Sequence, residues 1–507
     1  MIVMEESAKK VLIDTNVFIA LEESGRVMDD VHADMLRLCR ELHFDLYCHP
    51  AQLLDLERDS HYERKEIQIS RLRSYPKLNA PPEPSPFDLM NLGWKESCVN
   101  DRIDNLLLFA LKRNAISYLI TEDRGMHKKA RRSGLGSRVF TAEDFLSYLF
   151  NEKNQKREID TNCVKIKTVN LYSVPIEQEF FDSLRDGYGG AAFDKWYGDK
   201  AAVGRKAWIV GDEKKLDALC MYKPEDEDEK VTDTGERLPG RVLKLCTFKV
   251  ARIGFKLGER LLFVAFTYAI DNLFDFVYIQ VNEHKQQDLV ELLEDFGFVK
   301  FGPYKNDCTY VKDMRKGAVR AEWNEEQRLE YDIRHYPHFV DGAEVKKFLV
   351  PIQPAFHDRL FPDLERRDYL PGLIPDDTSE ANAIKKAYIC GSGIKHLCKG
   401  DILLFYRSCD RKSIACIGVV EDFLRSDTAS DIIPFVARRT VFFDDEIRNK
   451  ASGGELLAIL FRVVRYLKNE VKLSQLKRAG MMGQIQSIRE IGDEMYRMVF
   501  VPQLKEL

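Results

Sequence analysis

The chain has 507 residues, more than one hydrophobic core usually organises, so about three domains are expected. A formal charge of -5 with 31% charged and 45% apolar residues describes a globular protein, and it excludes a uniformly basic nucleic-acid-binding chain without excluding a local basic face. The 11 cysteines show no CxxC spacing, which argues against a zinc site or a disulfide framework and for reduced thiols in a cytoplasmic protein. MIVMEESAKK lacks the basic-then-apolar pattern of a signal peptide.

Residues 1–150 alternate short apolar runs with amphipathic stretches: VLIDTNVFIA, DVHADMLRLCREL, DLYCHP, QLLDLERDSHYERKEIQISRLRSY, DNLLLFALKRN, ISYLITED and SRVFTAEDFLSYLF. Strands alternating with helices predict a parallel sheet covered by helices. NEKNQKREIDTN is polar and aperiodic and reads as a linker. A second unit over 163–313 contains a helical stretch, FFDSLRDGYGGAAFDKWYG, and a strand pair, RKAWIVGD and KKLDALCMYK. The acidic PEDEDEK follows, then the strand VLKLCTFKV, the helix KLGERLLFVAFTYAIDN, the strand FVYIQV and the helix QQDLVELLEDFGF. Its run LLFVAFTYAI is too short for a membrane span and predicts a buried helix. Residues 314–345 read as a connecting helix and loop. Residues 346–507 carry dense short strands with turn signals, the pattern of a small barrel. The fold class expected is therefore multidomain α/β, with a parallel sheet, a mixed α+β unit and a β-barrel with helices.

Acidic residues of the first unit stand where strands end or helices begin: Asp14 in VLIDTNVFIA, Asp55 after CHPAQLL, Asp104 in DNLLLFALK and Asp123 closing ISYLITED. In open α/β sheets such positions meet at the carboxyl edge of the strands. Carboxylates gathered there raise one another's pKa unless a cation compensates, and hard oxygen donors favour Mg2+ or Mn2+. Asp14 carries most weight, because an unpaired carboxylate between VLI and VFIA is costly to bury. LIDTNVFI, Asp55, DNLLLFAL and ITED resemble the four motifs of PIN-domain nucleases. That resemblance implies a metal-dependent endoribonuclease with Asp14, Asp55, Asp104 and Asp123 as metal ligands and catalytic acids, and Asn16 and Thr121 as accompanying polar residues. Asp101, one turn before Asp104, is a further candidate ligand. Glu57 competes with Asp55 for the second position, since residues two apart on a helix point away from each other.

The order of strands and helices in 163–313 resembles the GNAT acetyltransferase fold. The resemblance implies acetyl-CoA bound where the loop VARIGFKLGER opens the long helix, through Val250, Lys256, Gly258 and Arg260, with Arg252 adding positive charge. The chain departs from the family pattern with Ile253 and Lys256 in the loop, and with Leu293 where a tyrosine commonly protonates the leaving thiolate; Tyr304 and Tyr310 are the substitutes available. HLCKGDILLFYRS and SIACIGVVEDF resemble the PUA-like superfamily, which includes ASCH and EVE domains, and imply RNA binding near Lys395, Lys399, Tyr406 and Arg407. The basic stretch from Arg462 to Arg478 is a second candidate phosphate track, weighed against the solvated face of a helix. Together these expectations describe an RNA-cleaving protein, related by analogy to toxin or defence effectors with an antitoxin partner. The alternatives are an N-acetyltransferase acting on RNA or protein with a degenerate PIN unit, and a non-catalytic nucleic-acid-binding regulator.

Overall fold

The computed structural model describes residues 9–22, 28–59, 61–154, 166–225, 229–251, 256–320, 322–361, 364, 383–437 and 439–505. Four parallel strands, β1 (Lys9–Ile13), β2 (Phe44–Tyr47), β3 (Tyr118–Ile120) and β4 (Val139–Phe140), form one sheet in the order β2-β1-β3-β4. The run VLIDTNVFIA is not a single strand. It breaks at Asp14 into β1 and the helix Thr15–Glu22, which buries Val17, Phe18 and Leu21, one face of a helical turn. Asp104 likewise does not start its helix: Val99–Lys112 begins five residues earlier and buries every side chain from Asn105 to Leu111.

By contacts the chain divides into two compact units, residues 1–159 with 426–455, and residues 160–425 with 456–507. In the first unit the helices Ala429–Val436 and Asp444–Ala451 join the parallel sheet. Ala437 enters the core around Phe44, Tyr118 and Phe145. Lys9 pairs with Asp444 at 2.8 Å and Glu152 at 3.2 Å.

The second unit holds two sheets. Seven strands, β5 (Lys167–Asn170), β6 (Lys206–Asp212), β7 (Lys215–Glu225), β8 (Val242–Val250), β9 (Phe276–Val281), β10 (Val299–Tyr304) and β11 (Asp307–Asp313), run in the order β10-β11-β9-β8-β7-β6-β5. All neighbours are antiparallel except β8 and β9. The predicted buried helix is Leu257–Asp271, which packs Leu261, Leu262, Ala265, Phe266 and Ala269 against this sheet. Six further strands, β12 (Lys347–Ile352), β13 (Lys385–Cys390), β14 (Ile402–Arg407), β15 (Ser413–Ser426), β16 (Leu456–Lys472) and β17 (Arg489–Ile491), run in the order β13-β16-β15-β14-β12-β17.

One core runs from Trp208 through Tyr336 to Phe500, so the two sheets share an interior. Arg462 is buried there, over the rings of Phe296 and Tyr336 and paired with Glu421 at 2.7 Å. The basic stretch from Arg462 is thus mostly strand, with a helix only over Leu473–Arg478. No disulfide joins the described cysteines, and no described helix is long and apolar enough to cross a membrane.

Candidate functional site

The site begins where β1 ends. Asp14 N–H donates to the carbonyl of Ile120 at 2.9 Å, which sets Asp14 beside Thr121 at the end of β3. The buried Asp14 carboxylate then accepts from Thr15 N (2.7 Å) on Oδ1, and from Thr121 Oγ1 (2.6 Å) and Asn16 Nδ2 (2.9 Å) on Oδ2. Asn16 and Thr121 therefore stand as direct partners of Asp14. Asp55 lies on the short helix Gln52–Glu57 and accepts from Thr15 Oγ1 at 2.9 Å, while Glu57 is exposed. Asp123 caps the helix Arg124–Arg132 through Met126 N at 2.7 Å, and its own N–H donates to Thr121 Oγ1 at 3.0 Å. Asp101 serves the start of its helix by accepting from Ser97 N at 2.9 Å.

Electrostatics join the four acids. Burial pushes the Asp14 carboxyl up to about 6, with Asp55 and Asp123 adding to the rise against the hydrogen bonds that oppose it. Burial also pushes half-buried Asp104 up to about 7, with Asp14, Asp123 and Asp55 raising it further and Lys129 opposing. Lys129 itself is held below its ordinary value by burial, despite Asp104, Asp101, Glu96 and Asp123 nearby, and lies 5.6 Å from the ring centre of Trp94. Among the described residues no group of three or more His, Cys, Asp or Glu side chains is arranged to hold a metal ion. The donor set nonetheless fits a hard divalent cation in charge and chemistry. Forming a coordination shell requires side chains to turn, since both Asp14 oxygens and one oxygen each of Asp55 and Asp123 are engaged by hydrogen bonds.

In the second unit β8 and β9 pair only from Val242↔Phe276 to Leu245↔Ile279, while β8 runs on to Val250 beside β7. Beyond Leu245 the parallel strands part. Past the opening stand Lys256, with a left-handed backbone (φ 49°), and the first turn of Leu257–Asp271, with Gly258 and Arg260. A Cβ on Gly258 would meet Leu292 Cδ2 at 2.8 Å, so a larger residue there would require the Leu292 side chain to shift. Arg252 lies outside the described residues. Leu293 is fully buried, and Tyr310 donates to Glu283 at 2.5 Å.

The four residues named for RNA differ in exposure and in what holds them. Lys395 is exposed, Lys399 pairs with Asp422 at 3.0 Å, and Tyr406 is core. Arg407 is buried and held by Asp358 and Asp410. Conversely, the sequence reading does not single out Thr15, Gln52 or Lys129, all of which border the acidic cluster.

No family model and no curated protein matches the sequence. Among solved structures, an ASCH protein from Zymomonas mobilis shares 16% identity over 32% of this chain and 95% of its own, with a TM-score of 0.24. A PaiA N-acetyltransferase from Thermoplasma acidophilum in complex with coenzyme A shares 11% identity over 30% of this chain and 99% of its own, also at 0.24. A putative GNAT-family acetyltransferase from Desulfovibrio desulfuricans shares 13% over 30% and 99%, at 0.22. At these values the likenesses carry no argument about activity.

Proposed function

We propose that the first unit is a divalent-cation-dependent phosphodiesterase acting on RNA, with Asp14, Asp55, Asp104 and Asp123 as its acidic centre. The observation that carries this reading is that carboxylates far apart in sequence meet at one place: burial raises Asp14 and Asp104, Asp55 and Asp123 raise both further, and Asp14 adds to the rise of Asp104. Such a cluster costs folding free energy, and a cation that bound there would relieve it. When bound, Mg2+ or Mn2+ lowers the pKa of water and offsets charge on phosphate oxygens. The chain's own residues hold the acids: Asn16 and Thr121 fix Asp14, and Thr15 fixes Asp55. Lys129 adds a cation beside the acids for an entering phosphate. RNA as substrate follows from the resemblance of the motifs to PIN nucleases. Incubating the full chain with a labelled RNA hairpin and Mn2+ tests the reading: cleavage by the wild type and its loss in Asp14→Asn are expected. Intact RNA with the wild type, or equal cleavage by the variant, refutes it.

A second activity is favoured by the parting of β8 and β9. Unpaired backbone groups along an opened strand suit an extended ligand bearing amides, and the helix start beyond suits its phosphates. Acetyl-CoA has both, and we read the second unit as an acyl-CoA-binding, acetyltransferase-like region. Titration calorimetry with acetyl-CoA tests this, and absence of heat at millimolar ligand counts against it. RNA contact by the third sequence region stays with surface residues such as Lys395 and Lys399, because Arg407 is committed to carboxylates.

A further inference from the structure

We infer that Gln52 and Thr15 are positioning residues that aim Asp55 at the end of β1; this rests on the phosphodiesterase reading above. Gln52 opens the helix Gln52–Glu57 and is wholly buried. Its Oε1 accepts from His49 N at 2.6 Å, and its Nε2 donates to the carbonyl of Ile13 at 2.8 Å and to Thr15 Oγ1 at 3.5 Å. Thr15 Oγ1 donates in turn to Asp55 Oδ2 at 2.9 Å. An amide, a hydroxyl and a carboxylate thus form a chain that begins on the last residue of β1 and ends on the second acid.

Two physical facts make this chain decisive for Asp55. Gln52 and Asp55 are three residues apart and share a helix face, so the bonds that hold one orient the other. A helix of six residues has little stability of its own, so its rotation and tilt follow from tertiary bonds. Glutamine suits the position because it offers a donor to Ile13 and Thr15 and an acceptor to His49. Leucine would leave His49 N without this buried acceptor, and a glutamate would set its charge against the Ile13 carbonyl. Thr15 supplies what the acid needs: a donor beside Asp14 that leaves the second Asp55 oxygen outside this bond.

The test uses the full chain, Mn2+ alone in titration calorimetry, and steady-state cleavage of a labelled RNA hairpin. Thr15→Val removes the hydroxyl at nearly constant volume and is expected to weaken Mn2+ binding about tenfold and to lower kcat with KM for RNA unchanged. Thr15→Ser should restore both to within about twofold of the wild type. In an Asp55→Asn background Thr15→Val should add nothing further, because its effect runs through that carboxylate. Gln52→Leu should follow Thr15→Val, and where it fails to fold the threonine series decides. The inference is overturned if Thr15→Val matches the wild type while Asp55→Asn loses binding, or if the Thr15→Val loss persists undiminished without Asp55. Should Asp14→Asn and Asp55→Asn both bind Mn2+ and cleave like the wild type, the phosphodiesterase reading itself fails and takes this inference with it.

Discussion

Replacing Asp104 by asparagine should make the first unit more stable while removing its activity. The carboxyl sits at about 7, against about 4 for an aspartate in an unfolded chain. A gap of about three pH units corresponds to roughly 4 kcal/mol for a fully desolvated group, and because Asp104 is half-buried we halve it to roughly 2 kcal/mol. The sign follows from proton binding: between pH 4 and 7 the folded state keeps a proton that the unfolded state has lost, so stability present below pH 4 drains away as pH rises. Asp104→Asn carries no charge to lose. In chelator it should therefore equal the wild type at pH 4 and exceed it by roughly 2 kcal/mol at pH 8. Urea unfolding followed by hydrogen exchange in peptides from β1 and β3 reads this unit separately. Added Mn2+ should then stabilise the wild type more than the variant, since only a ligand that prefers the folded state shifts the transition. An advantage of the same size at both pH values, or none at pH 8, would show that burial and neighbouring carboxylates do not hold the Asp104 proton in the folded state.

Three other outcomes follow from the same geometry. Asp55→Asn should cut RNA cleavage by about a hundredfold, whereas Glu57→Gln, at an exposed position, should stay within about twofold of the wild type; comparable losses would undo the choice of second acid. Mn2+ affinity measured by calorimetry should climb from pH 5 to pH 8 as Asp14, at about 6, and Asp104, at about 7, give up protons to make room for the ion; a flat profile would contradict the shared site. Asp444→Ala leaves Lys9 paired with Glu152 and should cost the first unit about 2 kcal/mol, read by the same exchange experiment; no change would mean that residues 426–455 contribute little to that unit's stability.

What the sequence reveals of this protein depends on whether the signal is local. Apolar runs locate β1, β8, β9 and the helix Leu257–Asp271, because each buries most of the apolar residues its own stretch supplies. Asp14 is legible for the complementary reason: a carboxylate between apolar runs demands partners, and three donors meet it. The choice between Asp55 and Glu57 is not legible, since both stand on one short helix whose rotation is set by a hydroxyl and an amide that reach it only in the folded chain. Gln52 looks like any polar residue at a helix start; its meaning lies in a bond to Ile13, 39 residues away.

The same limit explains the third sequence region. Residues 427–455 fall between β15 and β16, so contiguity assigns them to that sheet, yet Ala437 and Asp444 pack with the first unit because its core and Lys9 offer an apolar seat and a half-buried cation. Arg462 reads as one of a run of surface cations until Glu421, Phe296 and Tyr336 surround it. A charge is thus informative in sequence when its apolar neighbours prove that it must be buried. Arg462, between LLAILF and VV, meets that condition as Asp14 does; what its own stretch does not name is the partner that neutralises it, Glu421, which is supplied by another strand.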